Sequence, residues 1–427
     1  MASELKPSAA CEPAFTEGPV LEGGERGGRP GPPIPRAPSR HPYSRATPVS
    51  IQTPGAKFRE VLPPCAVHLC RSARRSDGLR RAAPLPGVLV RQDFGLERAP
   101  ILVSPRAPKI LGPTLVPVID FSKLDGAERT ETMAQIANGC EEWGFFQLVN
   151  HGIPLELLER VKQVCSECYR LRESGFKASE PVRTLEALVE AERTGEAVAP
   201  VDDMDWEDIF FIHDGNQWPS NPPEFEETMR EYRAELRKLA ERVMEAMDEN
   251  LGLAKGAIKR AFAGGDDGRR REPFFGTKVS HYPPCPRPDL ITGLRAHTDA
   301  GGVVLLFQDD QVGGLEVLKG GEWTAVQPLA GAIVINTGDQ IEVLSNGRYR
   351  SAWHRVLPMR DGNRRSIASF YNPANEATIS PAVASGGAGA YPKYVFGDYM
   401  DVYVKQKFQA KEPRFEAVKT PKSSPAA

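Results

Sequence analysis

The hydrophobic pattern changes period several times between Val116 and the C-terminus. Thr130 to Cys140 reads as an amphipathic helix, and Trp143-Gly144-Phe145-Phe146-Gln147-Leu148-Val149 turns from it into a strand. Leu157-Leu158-Glu159-Arg160-Val161-Lys162 has helical spacing again. A long helix is predicted over Phe225 to Leu251, where Met229, Tyr232, Leu236, Leu239, Val243 and Met247 recur every three or four positions and so share one face. Beyond it the period shortens. Ala332-Ile333-Val334-Ile335-Asn336 and Ser366-Ile367-Ala368-Ser369-Phe370-Tyr371 are short apolar or alternating runs, and Gly313-Gly314 and Lys319-Gly320-Gly321 punctuate Leu315-Glu316-Val317-Leu318 into hairpins. Many short strands with glycine turns predict a mainly β fold with a double-stranded β-helix (jelly-roll) core, buttressed on one side by the helices. No repeat at a period of roughly 20 to 50 residues is present, which excludes a solenoid.

Residues 1–110 break this pattern. They hold 18 of the 39 prolines, and 17 Lys/Arg, mostly Arg, against 9 Asp/Glu. Such a stretch cannot offset its ordering entropy by burial, so it is expected to be a disordered leader. Its arginines raise the question of organellar import, but Glu4, Glu12, Glu17, Glu22 and Glu25 are acids a transit peptide avoids. The expectation is therefore a dispensable extension or an over-long gene model on a cytoplasmic protein, with organellar import through the leader as the lesser alternative. The remainder divides into an N-terminal helical and strand region at 111–225, a helix and jelly-roll core at 226–380, and a C-terminal helix and tail at 381–427 that closes the site. A net charge of −2 argues against nucleic-acid binding. No run approaches the roughly 18 apolar residues needed to cross a bilayer. Seven cysteines, an odd number in a large chain, suggest reduced thiols, and a monomer is the working expectation. Cys165-Ser166-Glu167-Cys168 has redox spacing but sits in a helical run with no second pair to complete a zinc site, so it reads as core-facing.

The chemistry concentrates in His297-Thr298-Asp299, in His354, which follows 55 residues after Asp299, and in Arg364-Arg365-Ser366. Two imidazoles and one carboxylate form the facial donor set that holds Fe(II) while leaving positions open for substrate and dioxygen. A structural zinc site would close a tetrahedron with four protein ligands, and no Cys lies near either His. On a strand, His297 and Asp299 would share a face, with His354 brought alongside by barrel closure. Arg364 and Ser366 offer a guanidinium fork and a hydroxyl, a natural clamp for a ligand carboxylate. His151 and His213 have no carboxylate at metal spacing and read as structural.

Val116 to Thr420 resembles the plant iron-dependent oxygenase superfamily in Trp143-Gly144-Phe145-Phe146 with Asn150-His151-Gly152, in Tyr282-Pro283-Pro284-Cys285-Pro286, in the triad and in Arg364-x-Ser366. It resembles more closely the 1-aminocyclopropane-1-carboxylate oxidase family. That match lies in Gly276-Thr277-Lys278-Val279-Ser280, in Leu294 to Gly302, in Leu305-Leu306-Phe307-Gln308-Asp309-Asp310 and in the tail Lys407 to Glu416. The resemblance implies oxidation of a strained cyclic amino acid by dioxygen to ethylene, carbon dioxide and cyanide. Ascorbate would be co-substrate, and bicarbonate or carbon dioxide the activator. It further implies that His297, Asp299 and His354 hold Fe(II), that Arg364 and Ser366 bind a carboxylate or bicarbonate, and that Tyr282, Gln308 and Lys407 help bind substrate. Lys278 and Arg295 would be catalytic cations, with Arg414 and Glu416 acting from the tail by closing a lid. His281, Thr337 and Trp353 depart from the family pattern without removing a ligand. Two other readings stand beside this one: a 2-oxoglutarate-dependent hydroxylase or desaturase, and a catalytically silent jelly-roll binding protein.

Overall fold

The computed structural model describes residues 115–264, 267–382 and 391–419; the expected leader, 1–110, lies outside them. Its strands are β1 (Val118–Asp120), β2 (Phe145–Val149), β3 (Val201–Asp205), β4 (Asp208–Ile212), β5 (Phe274–Tyr282), β6 (Ile291–Thr292), β7 (Leu294–His297), β8 (Val303–Gln308), β9 (Leu315–Lys319), β10 (Glu322–Ala325), β11 (Ile333–Thr337), β12 (His354–Val356), β13 (Arg364–Asn372), β14 (Thr378–Ile379) and β15 (Tyr394–Val395). Its helices are α1 (Arg129–Asn138), α2 (Leu155–Lys177), α3 (Glu180–Arg193), α4 (Phe225–Asn250), α5 (Ala257–Ala263), α6 (Asp339–Leu344), α7 (Phe396–Gln406) and α8 (Glu412–Lys419).

A seven-stranded sheet in the order β1-β2-β11-β8-β13-β5-β4 faces a four-stranded sheet in the order β10-β9-β12-β7, which is the jelly roll. The larger sheet draws β1, β2 and β4 from the stretch before α4. Strand alternation divides its side chains. Val279, Leu305, Phe307, Ile333, Ile335 and Ile367 join Met229, Tyr232, Leu236 and Leu239 of α4 in the principal core. Each large apolar side chain buried this way stabilises the fold by roughly 1.5–3 kcal/mol. On the opposite face Phe145, Tyr282 and Val334 meet Leu294, Leu315, Val317 and Val356 between the two sheets. Lys278, Ser280, Gln308, Asn336, Arg364 and Ser366 share that inner face by the same parity.

α1 gives way to a π turn, Gly139–Trp143, and Gly144 then adopts φ 66 to enter β2. The β9–β10 hairpin turns on Gly320 and Gly321, both at positive φ, the geometry that two-residue hairpin loops favour. α3 was not foreseen from the sequence; Leu185 anchors it in a satellite cluster with Trp206, Cys285, Leu290 and Ile291. Cys165 and Cys168 are buried free thiols on α2. His151 is held by backbone, Nε2 donating to Gly331 O at 2.8 Å and Nδ1 accepting from Ile153 N at 3.2 Å, and His213 Nδ1 accepts from Gly215 N at 3.1 Å. Among the described residues no helix is long and apolar enough to cross a membrane.

Candidate active site

β12 pairs with β7 so that His354 stands directly opposite His297, with ring centroids 4.3 Å apart. Asp299 does not share their strand geometry. β7 ends at His297, and Asp299 comes from the turn beyond it, a correction to the strand-face expectation. That turn carries its Oδ1 to 3.7 Å from His297 Nε2 and its Oδ2 to 3.5 Å from His354 Nε2. The three ligand atoms lie within 4.8 Å of one another, and all three residues are buried. His297 Nδ1 lies 2.8 Å from Arg295 O and His354 Nδ1 3.1 Å from Ala352 O. A carbonyl can only accept, so the Nδ1 of each ring carries a proton and its Nε2 is the atom turned to the carboxylate. Burial above all, with the cations Lys407 and Lys278 adding to it, holds His297 well below its ordinary pKa and so neutral, as a ligand must be. Asn336 Nδ2 donates to Asp299 Oδ2 at 2.8 Å and fixes the carboxylate plane. Two imidazoles and one oriented carboxylate, with no thiolate, fit Fe(II).

The loop carrying Asp299 is braced by α6. Asp339 N donates to Asp299 O at 2.8 Å and Gly338 N to Gly302 O at 2.7 Å. This approach needs a glycine at 338, because a Cβ there would stand 2.4 Å from Gly301 O.

Arg364, Ser366, Gln308 and Tyr282 are brought together by register: Arg364 opposes Tyr282, and Ser366 opposes Gln308 on β8. Arg364 is 1% exposed, yet among the described residues its guanidinium binds only neutral oxygens, Ser366 Oγ and Gln308 Oε1, each at 3.0 Å, and sits 5.1 Å over the Tyr282 ring. Burial lowers its pKa and raises that of the Tyr282 phenol. Arg364 Nε and Gln308 Nε2 are buried without an acceptor, which suits an incoming anion.

Lys278 and Arg295 are also at the site, but each is already matched. Lys278 Nζ bonds Glu207 Oε1 and Oε2 at 2.8 and 3.0 Å, both side chains being nearly buried. Arg295 grips Asp205 through its own N–H and its guanidinium at 2.8, 3.0 and 3.2 Å, and its guanidinium carbon lies 3.8 Å from the Phe408 ring centroid. Phe408 stands edge-on to His297 at 6.1 Å, with Lys407 Nζ 5.0 Å from its centroid, so Lys407 lies at the mouth.

The structure places the other two tail residues elsewhere. Arg414 is fully buried, donating to Thr298 Oγ1 at 3.1 Å, Asp339 Oδ2 at 3.0 Å and Gln409 O at 3.0 Å. It clamps the loop between two candidate ligands and does not line the pocket as a lid. Glu416 is exposed on α8, paired with Lys419 at 2.6 Å, and does not join the triad. His281 points away from Tyr282, half-buried at 4.5 Å from the Tyr169 ring and hydrogen-bonded to Asn363. Thr337 Oγ1 donates to Arg350 O at 2.5 Å, and Trp353 O accepts from Leu318 N at 2.8 Å, so both serve the backbone. Asn336, Glu207, Asp205 and Asp339 were missed in the sequence. The signal for Asn336 was an amide ending an apolar strand; Asp205 and Glu207 lie in an acidic run from Asp202 to Asp208.

A jelly roll with an inward His/Asp/His triad and a buried Arg/Ser pair beside it defines a non-haem Fe(II) oxygenase. The 2OG-Fe(II) oxygenase superfamily model matches residues 275–373, and the model for the N-terminal region of non-haem dioxygenases in morphine synthesis matches 116–232. 1-Aminocyclopropane-1-carboxylate oxidase of Musa acuminata is 70% identical over 309 residues, covering 71% of this chain and 99% of that protein. 1-Aminocyclopropane-1-carboxylate oxidase 5 of Arabidopsis thaliana is 64% identical over 311 residues, with the same two coverages, 71% and 99%. Among solved structures, JOX2 in complex with 2OG, Fe and JA superposes with TM-score 0.56 at 33% identity, over 74% of this chain and 92% of that one. The chain belongs to the 1-aminocyclopropane-1-carboxylate oxidase family.

Proposed function

We propose that this protein oxidises 1-aminocyclopropane-1-carboxylate with dioxygen and ascorbate to ethylene, carbon dioxide and cyanide, bicarbonate or carbon dioxide acting as activator. The observation that carries it is an intact His/Asp/His triad able to hold Fe(II) in a chain so similar to oxidases of that name. That similarity favours the oxidase over a 2-oxoglutarate-dependent hydroxylase, and a silent binding protein would have no use for the triad.

Dioxygen takes four electrons to become water; the amino acid gives two and ascorbate two. When bound, Fe(II) supplies open coordination positions and the redox chemistry that dioxygen requires. His297, Asp299 and His354 hold it, and Asn336 keeps the carboxylate in plane. Arg364 and Ser366 take the substrate carboxylate or bicarbonate, Gln308 holds Arg364 in place, and Tyr282 provides the surface on which it rests. Lys278, Arg295 and Lys407 shape the field around the substrate. Reduced cysteines support a cytosolic setting: the four in the described residues are free.

The test is ethylene release by the purified full-length protein supplied with Fe(II), ascorbate, bicarbonate and 1-aminocyclopropane-1-carboxylate, with 2-oxoglutarate omitted. Ethylene is expected; turnover that appears only with 2-oxoglutarate would overturn the assignment.

A further inference from the structure

The two pocket cations that the sequence flags, Lys278 and Arg295, are both neutralised by one short segment, Asp205-Trp206-Glu207, at the junction of β3 and β4. Trp206 turns the opposite way. Its Nε1 donates to Pro283 O at 2.9 Å and its ring packs edge-on to Phe176 at 5.2 Å. That anchor leaves Asp205 and Glu207, two positions apart, on the pocket side. Glu207 reaches Lys278 with both oxygens, and Asp205 reaches Arg295 with both of its own. By contrast Arg364, the most deeply buried of the three cations, has no carboxylate partner among the described residues.

We infer that Asp205 and Glu207 set the charge selectivity of the substrate pocket. By cancelling Lys278 and Arg295 they leave Arg364 as the buried cation open to a ligand. The interior is thereby matched to a single carboxylate and set against dicarboxylates such as 2-oxoglutarate. A second carboxylate reaching toward Lys278 or Arg295 would find that cation already engaged by a carboxylate. The inference rests on the amino-acid reading of the pocket and gives a physical reason why a chain of this superfamily would take a monocarboxylate.

Removing one fixed carboxylate uncovers a unit positive charge. At about 10 Å and an effective dielectric of about 20, that is worth on the order of tenfold in the affinity of each further ligand charge. The experiment is calorimetric titration of the full-length Fe(II)-loaded protein, under anaerobic conditions, with 2-oxoglutarate and separately with 1-aminocyclopropane-1-carboxylate. Glu207→Gln should bind 2-oxoglutarate about tenfold more tightly relative to the amino acid than the parent does. A Glu207→Gln/Lys278→Met double variant should lose that gain, because the uncovered charge is gone. Should Glu207→Gln fail to fold, Asp205→Asn, at the more exposed pair, carries the same test with a smaller expected gain. An unchanged ratio of the two affinities, or a gain that survives in the double variant, overturns the inference. The parent's ethylene assay separates the two failures: no ethylene removes the functional reading, whereas ethylene with an unchanged ratio removes this inference alone.

Discussion

Asn336 offers a direct measure of how much the iron site depends on a residue that never touches iron. It is 4% exposed, opposes Phe145 on β2 and Val304 on β8, and donates to Asp299 Oδ2 at 2.8 Å. Asn336→Ala removes this donor and leaves a buried carboxylate oxygen without its orienting bond. A hydrogen bond to a charged group contributes about 1.5–3 kcal/mol, and partners that orient metal ligands change metal affinity by roughly 10- to 100-fold. The two ranges overlap, so Fe(II) affinity should fall about 10- to 100-fold. The assay is anaerobic Fe(II) titration against a competing chelator, with a melting curve on the iron-free variant as the folding control. Affinity within twofold of the parent in a folded variant would refute the argument that Asn336 orients Asp299.

Four further outcomes are expected. His297→Ala, Asp299→Ala and His354→Ala should each abolish iron-dependent ethylene formation while leaving the iron-free melting curve near that of the parent. Arg364→Lys keeps the charge but not the fork that meets Ser366 and Gln308; Fe(II) titration should change little, while half-saturation by the amino acid or bicarbonate rises roughly ten- to a hundredfold. Arg414→Met strands a fully buried Asp339 carboxylate and should cost about 3–5 kcal/mol in denaturant unfolding, where a lid residue would change saturation curves instead. A chain begun at Leu111 should turn over like the full chain, as expected if residues 1–110 are dispensable; insolubility would place a folding role in that stretch.

The triad and the Arg/Ser pair were legible because ligand chemistry restricts residue type and because short spacing survives folding. Helix α4 was legible because its apolar period is long and unbroken. What failed were matters of partnership across space. Lys278 and Arg295 look like free cations in one dimension; only strand pairing brings Glu207 and Asp205 to them. Asp299 reads as a strand residue by its spacing from His297, yet a turn delivers it, and the bonds that hold that turn come from α6. Arg414 looks like a mobile tail charge, and nothing near it in sequence reveals the buried Asp339 that receives it. α3 went unseen because its single fully buried apolar side chain, Leu185, leaves little periodic signal.

The bracing of the metal loop bears on how the protein is made. Thr298 receives its last restraints from residues synthesised far later: Tyr403 Oη donates to its carbonyl from 105 positions downstream and Arg414 to its hydroxyl from 116. A nascent chain emerging from the ribosome therefore carries both histidines, the aspartate and the α6 bracing well before it owns the two groups that hold Thr298. A nonsense codon or protease cut ahead of α7 would leave every ligand present, but the Thr298 and Asp299 loop would be held by Asn336 and α6 alone.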